Sequence, residues 1–208
     1  WYRKAFTLDS TYKDRLVSIE FDGVYLRSKV WINGHFLGER PYGYSSFAYD
    51  ISTYLKFDSA NVIAVKVDNS LQPNSRWYSG SGIYRNVWLV TTNKIAVTHW
   101  GTFITTSEAD SSRAMVSLAL CLKNSTGALK DANVSVEIID KKGKSVASNT
   151  QNTLLSDSVT ELIFALDIKN PSLWSIENPY LYKAIVKTSV DNKLVDEYVT
   201  PFGIRTFE

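Results

Sequence analysis

The segment VYLRSKVWINGHFLG, residues 24–38, alternates two sets of side chains and then turns back on itself. Successive side chains of a β-strand point to opposite faces, so the alternation separates a mostly apolar face from a mixed one. The mostly apolar face carries Val24, Leu26, Ser28, Val30 and Ile32. Asn33-Gly34 supplies the left-handed dihedral angles that a two-residue hairpin turn needs. The segment therefore predicts a β-hairpin with one face buried.

The same period of two extends outward through the first half of the chain, over residues 15–21 and 61–68. Residues 82–91 (GIYRNVWLVT) are apolar on both faces, which predicts a central strand covered on both sides. Arg85 within that segment is predicted to be a structural residue of the strand. Only residues 50–55 suggest a helical turn, with Asp50 as its N-cap. The first half is thus predicted to be all-β.

After Thr92 the density of Trp and Tyr falls, whereas Ser, Thr, Lys and Asp become more frequent. Seven short alternating segments follow, and this number of strands in about a hundred residues is typical of an immunoglobulin-like sandwich. They are residues 95–106, 114–123, 132–140, 145–149, 159–168, 182–190 and 194–199. We therefore predict two all-β domains, residues 1–92 and residues 93–208.

Composition excludes several classes of function. The 23 Lys and Arg against 21 Asp and Glu give a net charge of +2, too balanced for a nucleic-acid binder that works by bulk charge. No run of about eighteen apolar residues is present, so no membrane-spanning helix is predicted. One cysteine, Cys121, and two histidines, His35 and His99, leave little material for a disulfide framework, a zinc site or a His-dependent triad. We expect no cofactor.

Two irregular segments, residues 38–46 and 69–81, are the candidate functional surfaces. The first holds two Gly, a Pro and two Tyr, and the second is rich in Ser, Asn, Gly and Pro and carries a Trp-Tyr pair; a loop of about thirteen residues in a compact β domain is often functional. The chain also carries 9 Phe, 12 Tyr and 6 Trp, of which most are expected in the core. The remainder could stack on sugar rings or pack against another domain.

Four stretches together resemble glycoside hydrolase family 2, which contains β-galactosidases, β-glucuronidases and β-mannosidases. They are VWINGHFLG (30–38) with GYSSFAYDIS (43–52), SRWYSGSGIYRNVWL (75–89), LWSIENPYLY (173–182) and PFGIRTFE (201–208). The resemblance implies a jelly-roll-like sugar-binding domain for residues 1–92 and an immunoglobulin-like domain for residues 93–208. Both ends of the chain are expected to be cut from a longer protein.

In this family a (β/α)₈ barrel follows a segment like residues 202–205 and carries the two catalytic glutamates. The resemblance therefore implies a non-catalytic fragment of a retaining exo-β-glycosidase, β-galactosidase-like, with no catalytic residue in this chain. The local carboxylates are predicted to be solvated surface charges, because strand neighbours point to opposite faces. These carboxylates are Glu20, Asp22, Asp9, Asp14, Asp196 and Glu197.

The resemblance also implies that Asn74, Ser75, Arg76, Trp77 and Tyr78 edge the subsite for the terminal sugar. Arg76 offers five donors to sugar hydroxyls, and the two aromatic residues offer apolar faces. The alternative is that Trp77 and Tyr78 anchor the loop on the barrel while Arg76 forms an inter-domain ion pair. Some β-galactosidase relatives carry an acidic, ion-associated residue near the position of Arg76. This sequence departs from them there, so no metal is expected.

The expected partners are a carbohydrate with a terminal β-linked sugar and the downstream barrel, and homo-oligomers are possible. No nucleic acid and no membrane is expected, and the compartment is left open. Two alternatives come from other classes of protein: a stand-alone carbohydrate-binding module, and a two-sandwich adhesion or interaction protein. β-sandwiches host all of these functions, so the fold alone does not decide among them.

Overall fold

The computed structural model describes residues 1–71 and 79–206, which form two units, Trp1–Thr92 and Asn93–Glu208. Both units are built from antiparallel strands, with two short 3₁₀ helices at Ser10–Tyr12 and Ser52–Tyr54. The all-β fold class predicted from the alternation is confirmed. No helix in the described part of the chain is long and apolar enough to cross a membrane.

The first unit is a jelly-roll-like sandwich. Its strands are β1 (Tyr2–Thr7), β2 (Leu16–Phe21), β3 (Val24–Tyr25), β4 (Ser28–Ile32), β5 (His35–Arg40), β6 (Phe47–Asp50), β7 (Ala60–Lys66), β8 (Gly82–Ile83) and β9 (Val87–Thr92). They form one sheet in the order β1-β7-β4-β5, a second in the order β6-β2-β9, and the short pair β3-β8. The core lies between the two larger sheets, where Phe21 stacks on Phe47 with ring centroids 4.9 Å apart.

The predicted hairpin is confirmed as β4 and β5. Ile32 pairs with His35, and the turn residues have positive φ, 50° at Asn33 and 88° at Gly34. Val30 and Ile32 are fully buried, as the alternation predicts. His35 is exposed at the turn and stacks on Tyr54, with ring centroids 4.8 Å apart.

The prediction of a single central strand over residues 82–91 is wrong. A bend at residues 84–86 separates β8 from β9, and β9 pairs only with β2, at an edge of its sheet. Arg85 lies in this bend and is exposed, so it is not a strand residue. β8 pairs with β3 and β9 pairs with β2, and the bend between them stays bonded to the segment between β2 and β3, since Tyr84 N donates to Gly23 O and Asn86 O accepts from Asp22 N.

β9 is not covered on both sides, and its apolar residues border an open groove. Val87, Trp88 and Leu89 are 41%, 51% and 41% exposed. They line a groove of about 480 Å³ together with apolar side chains of β1, β2 and β7. In this segment, therefore, apolar residues on both faces belong to an edge strand that borders a groove.

The second unit is an immunoglobulin-like sandwich with the predicted seven strands. They are β10 (Ile95–Ala109), β11 (Arg113–Asn124), β12 (Lys130–Ile139), β13 (Ser145–Leu155), β14 (Val159–Lys169), β15 (Tyr182–Val190) and β16 (Lys193–Phe202). One sheet has the order β10-β11-β14 and the other β13-β12-β15-β16. The inward residues of β11, Leu118, Leu120 and Leu122, are fully buried between the two sheets.

Candidate functional site

All five residues predicted to edge the sugar subsite lie outside the described residues. These are Asn74, Ser75, Arg76, Trp77 and Tyr78, within residues 72–78. The structure describes the chain up to Leu71 and again from Ser79. The residues that flank this segment in sequence, and those around Ser79, form the described part of the candidate site.

The chain that leaves β7 is held by hydrogen bonds around Asp68. Asp68 N donates to Leu26 O over 3.0 Å, and Arg27 Nε donates to Asp68 O over 3.2 Å. The Asp68 carboxylate accepts from Ser70 Oγ at 2.6 Å and from Ser70 N at 3.1 Å. These hydrogen bonds favour the charged carboxylate and lower the pKa of Asp68. The start of the loop is thus tied to residues 26 and 27.

Four tyrosines form what we call the tyrosine cluster: Tyr25, Tyr42, Tyr44 and Tyr84. The ring centroids of Tyr25 and Tyr44 lie 5.2 Å apart, and those of Tyr42 and Tyr44 lie 5.8 Å apart. Tyr44 is 66% exposed, so its ring face is available to a ligand or a neighbouring domain. The hydrogen bond between its hydroxyl and Tyr25 raises the pKa of Tyr44, and the neighbouring tyrosines act in the same direction.

Two glycines allow the cluster to assemble. A Cβ at Gly23 would lie 2.5 Å from the Tyr84 ring, and a Cβ at Gly43 would lie 2.4 Å from the Tyr25 ring. Tyr84 also donates its hydroxyl proton to Gly43 O over 2.8 Å. Sequence reasoning singled out residues 38–46 and missed Tyr25 and Tyr84. The two glycines were the available signal, because each marks a point where a ring approaches the backbone.

A cavity of about 320 Å³ opens beside the cluster. It is lined by Tyr25, Tyr44 and Tyr84 and by the chain over residues 79–82. These residues offer ring faces, hydroxyls and backbone groups, and no carboxylate or imidazole is among them. The described lining can therefore stack on and hydrogen-bond to a sugar or a protein surface, but it holds no group for proton transfer at neutral pH.

Two buried arginine nitrogens lie next to the same segments. Arg27 Nη2 and Arg40 Nε have no hydrogen-bond partner within residues 1–71 and 79–206. Each guanidinium forms a hydrogen bond through a different one of its own nitrogens. Arg40 Nη2 donates to Ser45 Oγ over 3.0 Å, and Arg27 Nε donates to the backbone carbonyl of Asp68. A buried donor without an acceptor is costly.

The local carboxylates have structural contacts that sequence reasoning did not assign. Asp22 accepts from Trp88 Nε1 at 3.0 Å, and Asp9 accepts from Thr11 N at 2.8 Å at the start of a 3₁₀ helix. Glu197 forms an exposed ion pair with Lys187, at 3.7 Å. These contacts position side chains and turns, and none of them pairs two carboxylates.

Asp196 corrects the prediction that all these carboxylates are solvated. It is half-buried, and its carboxylate accepts from Val97 N at 2.8 Å, which links β16 to β10. Burial raises the pKa of Asp196, although the backbone hydrogen bonds oppose this effect. Across the described ranges, no group of three or more His, Cys, Asp or Glu side chains is placed to hold a metal ion.

Comparison with known proteins gives the context of these two units. The model of the sugar binding domain of glycosyl hydrolases family 2 matches residues 1–93, and a second model of glycosyl hydrolases family 2 matches residues 96–205. The chain is 48% identical over 209 residues to the beta-galactosidase BoGH2A of Bacteroides ovatus, with all of this chain and 24% of the relative covered. It is 42% identical over 206 residues to a putative beta-glucuronidase of Formosa agariphila, with 99% of this chain and 19% of the relative covered.

Solved structures agree with the sequence matches. The crystal structure of a glycosyl hydrolase family 2 member from Bacteroides cellulosilyticus superposes with a TM-score of 0.93 at 38% identity, covering 99% of this chain and 28% of the other. The chain thus spans about a quarter of the length of these proteins. The two family models together match nearly every residue, with the sugar binding domain first, as the sequence motifs predicted. The chain therefore belongs to glycosyl hydrolase family 2.

Proposed function

We propose that this chain is the non-catalytic N-terminal region of a retaining exo-β-glycosidase, β-galactosidase-like, whose (β/α)₈ barrel lies outside it. The observation that carries the proposal is the match of both family models across the chain, although the chain covers only 24% of its 48%-identical β-galactosidase relative. On this proposal the two catalytic glutamates belong to the barrel. The role of the chain is to complete the substrate pocket and to link the domains.

Residues 1–92 are, on this proposal, the sugar-binding domain, and residues 93–208 the immunoglobulin-like domain. Asn74, Ser75, Arg76, Trp77 and Tyr78 would edge the subsite that receives the terminal sugar. Support comes from the segment's flanks, because Ser79 lines the cavity beside the tyrosine cluster and Asp68 ties the start of the loop to residues 26 and 27, which follow β3. Orientation of a sugar by fixed donors is how such a loop would contribute to rate.

The substrate we propose is a β-galactoside. The β-galactosidase of Bacteroides ovatus is 48% identical and the putative beta-glucuronidase of Formosa agariphila is 42% identical, so the comparison favours the galactosidase modestly. The tyrosines of the described cavity are uncharged, and they suit a neutral sugar. Relative rates on aryl β-galactoside and aryl β-glucuronide test this choice, and preference for the glucuronide would contradict it.

The site proposal is tested by Arg76→Ala in the longer polypeptide that contains this chain and a barrel. A hydrogen bond to a charged donor contributes about 1.5–3 kcal/mol, so kcat/KM should fall roughly tenfold to a hundredfold while Tm stays unchanged. The matched control is Arg15→Ala, an exposed arginine at the opposite end of β2 from the tyrosine cluster. Unchanged kinetics for Arg76→Ala, or an equal effect of the control, would refute the assignment.

A further inference from the structure

The outer face of the β1-β7-β4-β5 sheet carries a row of aromatic rings. The ring centroid of Trp31 lies 5.3 Å from that of Trp1 and 5.4 Å from that of Phe36. Phe36 is 53% exposed and Trp31 is partly exposed. The Trp1 and Trp31 rings meet across β7 because Ala64, which pairs with Trp31, is too small to separate them. We call this surface the Trp1–Trp31 face.

Cationic side chains border these rings. A cavity of about 590 Å³ is lined by Trp1, Trp31, Arg3 and Lys56 among others, and no carboxylate is among its described lining residues. In the described part of the chain, Arg3 and Lys56 take part in no ion pair. By contrast, Lys29 on the same face pairs with Glu39 at 3.3 Å. The cavity therefore combines flat apolar rings with two cations that have no carboxylate partner among residues 1–71 and 79–206.

The floor of the cavity is rigid. Asn33 lines it, but its amide is fully engaged, donating to Tyr54 O at 2.8 Å and accepting from Val62 N at 2.9 Å. Asn33 thus fixes the turn that follows Trp31 and leaves ligand contacts to the rings and the cations. A fixed floor lowers the entropy cost of binding, because less of the protein has to become ordered.

We propose that the Trp1–Trp31 face binds an acidic oligosaccharide, one that carries carboxylate or sulfate groups. A pyranose ring has a flat C–H face that packs on an indole, and Arg3 and Lys56, which line the same cavity, can meet its anionic substituents. Guanidinium and ammonium groups form charge-assisted hydrogen bonds with such anions. The volume of about 590 Å³ lies within the range of small-ligand sites, which are about 300–1,000 Å³.

Charge complementarity selects this occupant over a neutral glycan. A neutral sugar would use the rings but would leave both cations without a partner, whereas an acidic sugar uses both features at once. The inference does not depend on the proposed hydrolase function, since it needs only residues of β1, β4, β7 and the segment after Tyr54. Loss of binding and loss of hydrolysis can therefore be measured separately.

The test is calorimetric titration of the full-length polypeptide with trigalacturonate and with its neutral counterpart of the same linkage, galactotriose. We expect millimolar or tighter binding of trigalacturonate, at least tenfold weaker binding of galactotriose, and weaker trigalacturonate binding at 500 mM salt than at 50 mM. Equal affinity for the two sugars would overturn the role of the cations. Absence of trigalacturonate binding would overturn the proposal.

Variants locate the site. Trp31→Ala and Arg3→Gln should each weaken trigalacturonate binding at least tenfold, while the rate of glycoside hydrolysis stays that of the wild type. The matched control is Phe103→Ala, an exposed aromatic residue of the second unit that is 69% exposed, and it should bind normally. Unchanged binding by Trp31→Ala, with the far-UV spectrum of a folded protein, would place the ligand elsewhere and overturn the proposal. A dimer that Trp31→Ala dissociates in sedimentation would also overturn it, in favour of self-association.

Discussion

The side chain of Asn61 is the buried polar centre of the first unit, and its removal should destabilise that unit strongly. Asn61 is fully buried. Its Nδ2 donates to Lys56 O at 2.7 Å, and its Oδ1 accepts from Lys56 N at 2.8 Å and from Asn33 Nδ2 at 2.9 Å. Through these bonds one amide joins the chain before β7 to the turn between β4 and β5.

The magnitude follows from the groups that Asn61→Ala leaves without partners. The backbone N–H and C=O of Lys56 both lose a part-buried hydrogen bond, and each loss costs about 1–2 kcal/mol. Asn33 keeps its bond to Tyr54 O, which limits the damage. We therefore expect the free energy of unfolding of the first unit to fall by about 2–4 kcal/mol.

Urea denaturation followed by tryptophan fluorescence measures this change. With a slope of about 1–3 kcal/mol/M for small proteins, the midpoint should fall by roughly 0.7–4 M. The matched control is Asn133→Ala in the second unit, where an exposed amide donates only to Asn152 Oδ1, at 2.8 Å. It should change stability by no more than about 0.5 kcal/mol. A loss below about 0.5 kcal/mol for Asn61→Ala would refute the argument.

Two further predictions concern titration. Because burial raises the pKa of Asp196, NMR titration of its carboxyl should give a midpoint above 3.8. The free energy of unfolding should then fall as pH rises from the unfolded-state pKa through the folded-state pKa, and Asp196→Asn should remove this dependence. A midpoint below 3.8 would contradict the prediction. Gly43→Ala should displace the Tyr25 ring and break its hydrogen bond to Tyr44, which should lower the pKa of Tyr44 toward 10.0. The control is Gly80→Ala, where the Cβ position is open space, and it should leave the pKa of Tyr44 unchanged. An unchanged tyrosine titration in Gly43→Ala would show that the ring does not limit that position.

Most of the fold could be predicted from the period of two. The seven strands of the second unit and the β4–β5 hairpin follow from alternation and from one Asn-Gly turn, because these are local properties of the chain. The error at residues 82–91 has a physical cause. Alternation reports which side chains avoid water, but it does not report whether a second sheet or an open groove lies opposite, as at Trp88.

The candidate site could be predicted less well, because it depends on contacts between distant residues. Tyr25 and Tyr84 meet the chain near Gly43, about twenty and forty residues away, through ring contacts that no local pattern encodes. The same reason hides the bond between Asp196 and Val97, which are neighbours only after β16 has folded beside β10. The five residues from Asn74 to Tyr78 stay a prediction that rests on the family resemblance.

The most direct test of the central claim compares glycoside hydrolysis by the purified 208-residue chain with hydrolysis by the longer polypeptide. The claim is that the chain shapes a pocket and holds no catalytic group, so the chain alone should release no aryl alcohol from an aryl β-galactoside above the buffer rate. The longer polypeptide should turn the same substrate over. Hydrolysis by the chain alone that Glu20→Gln or Asp22→Asn abolishes would contradict the account.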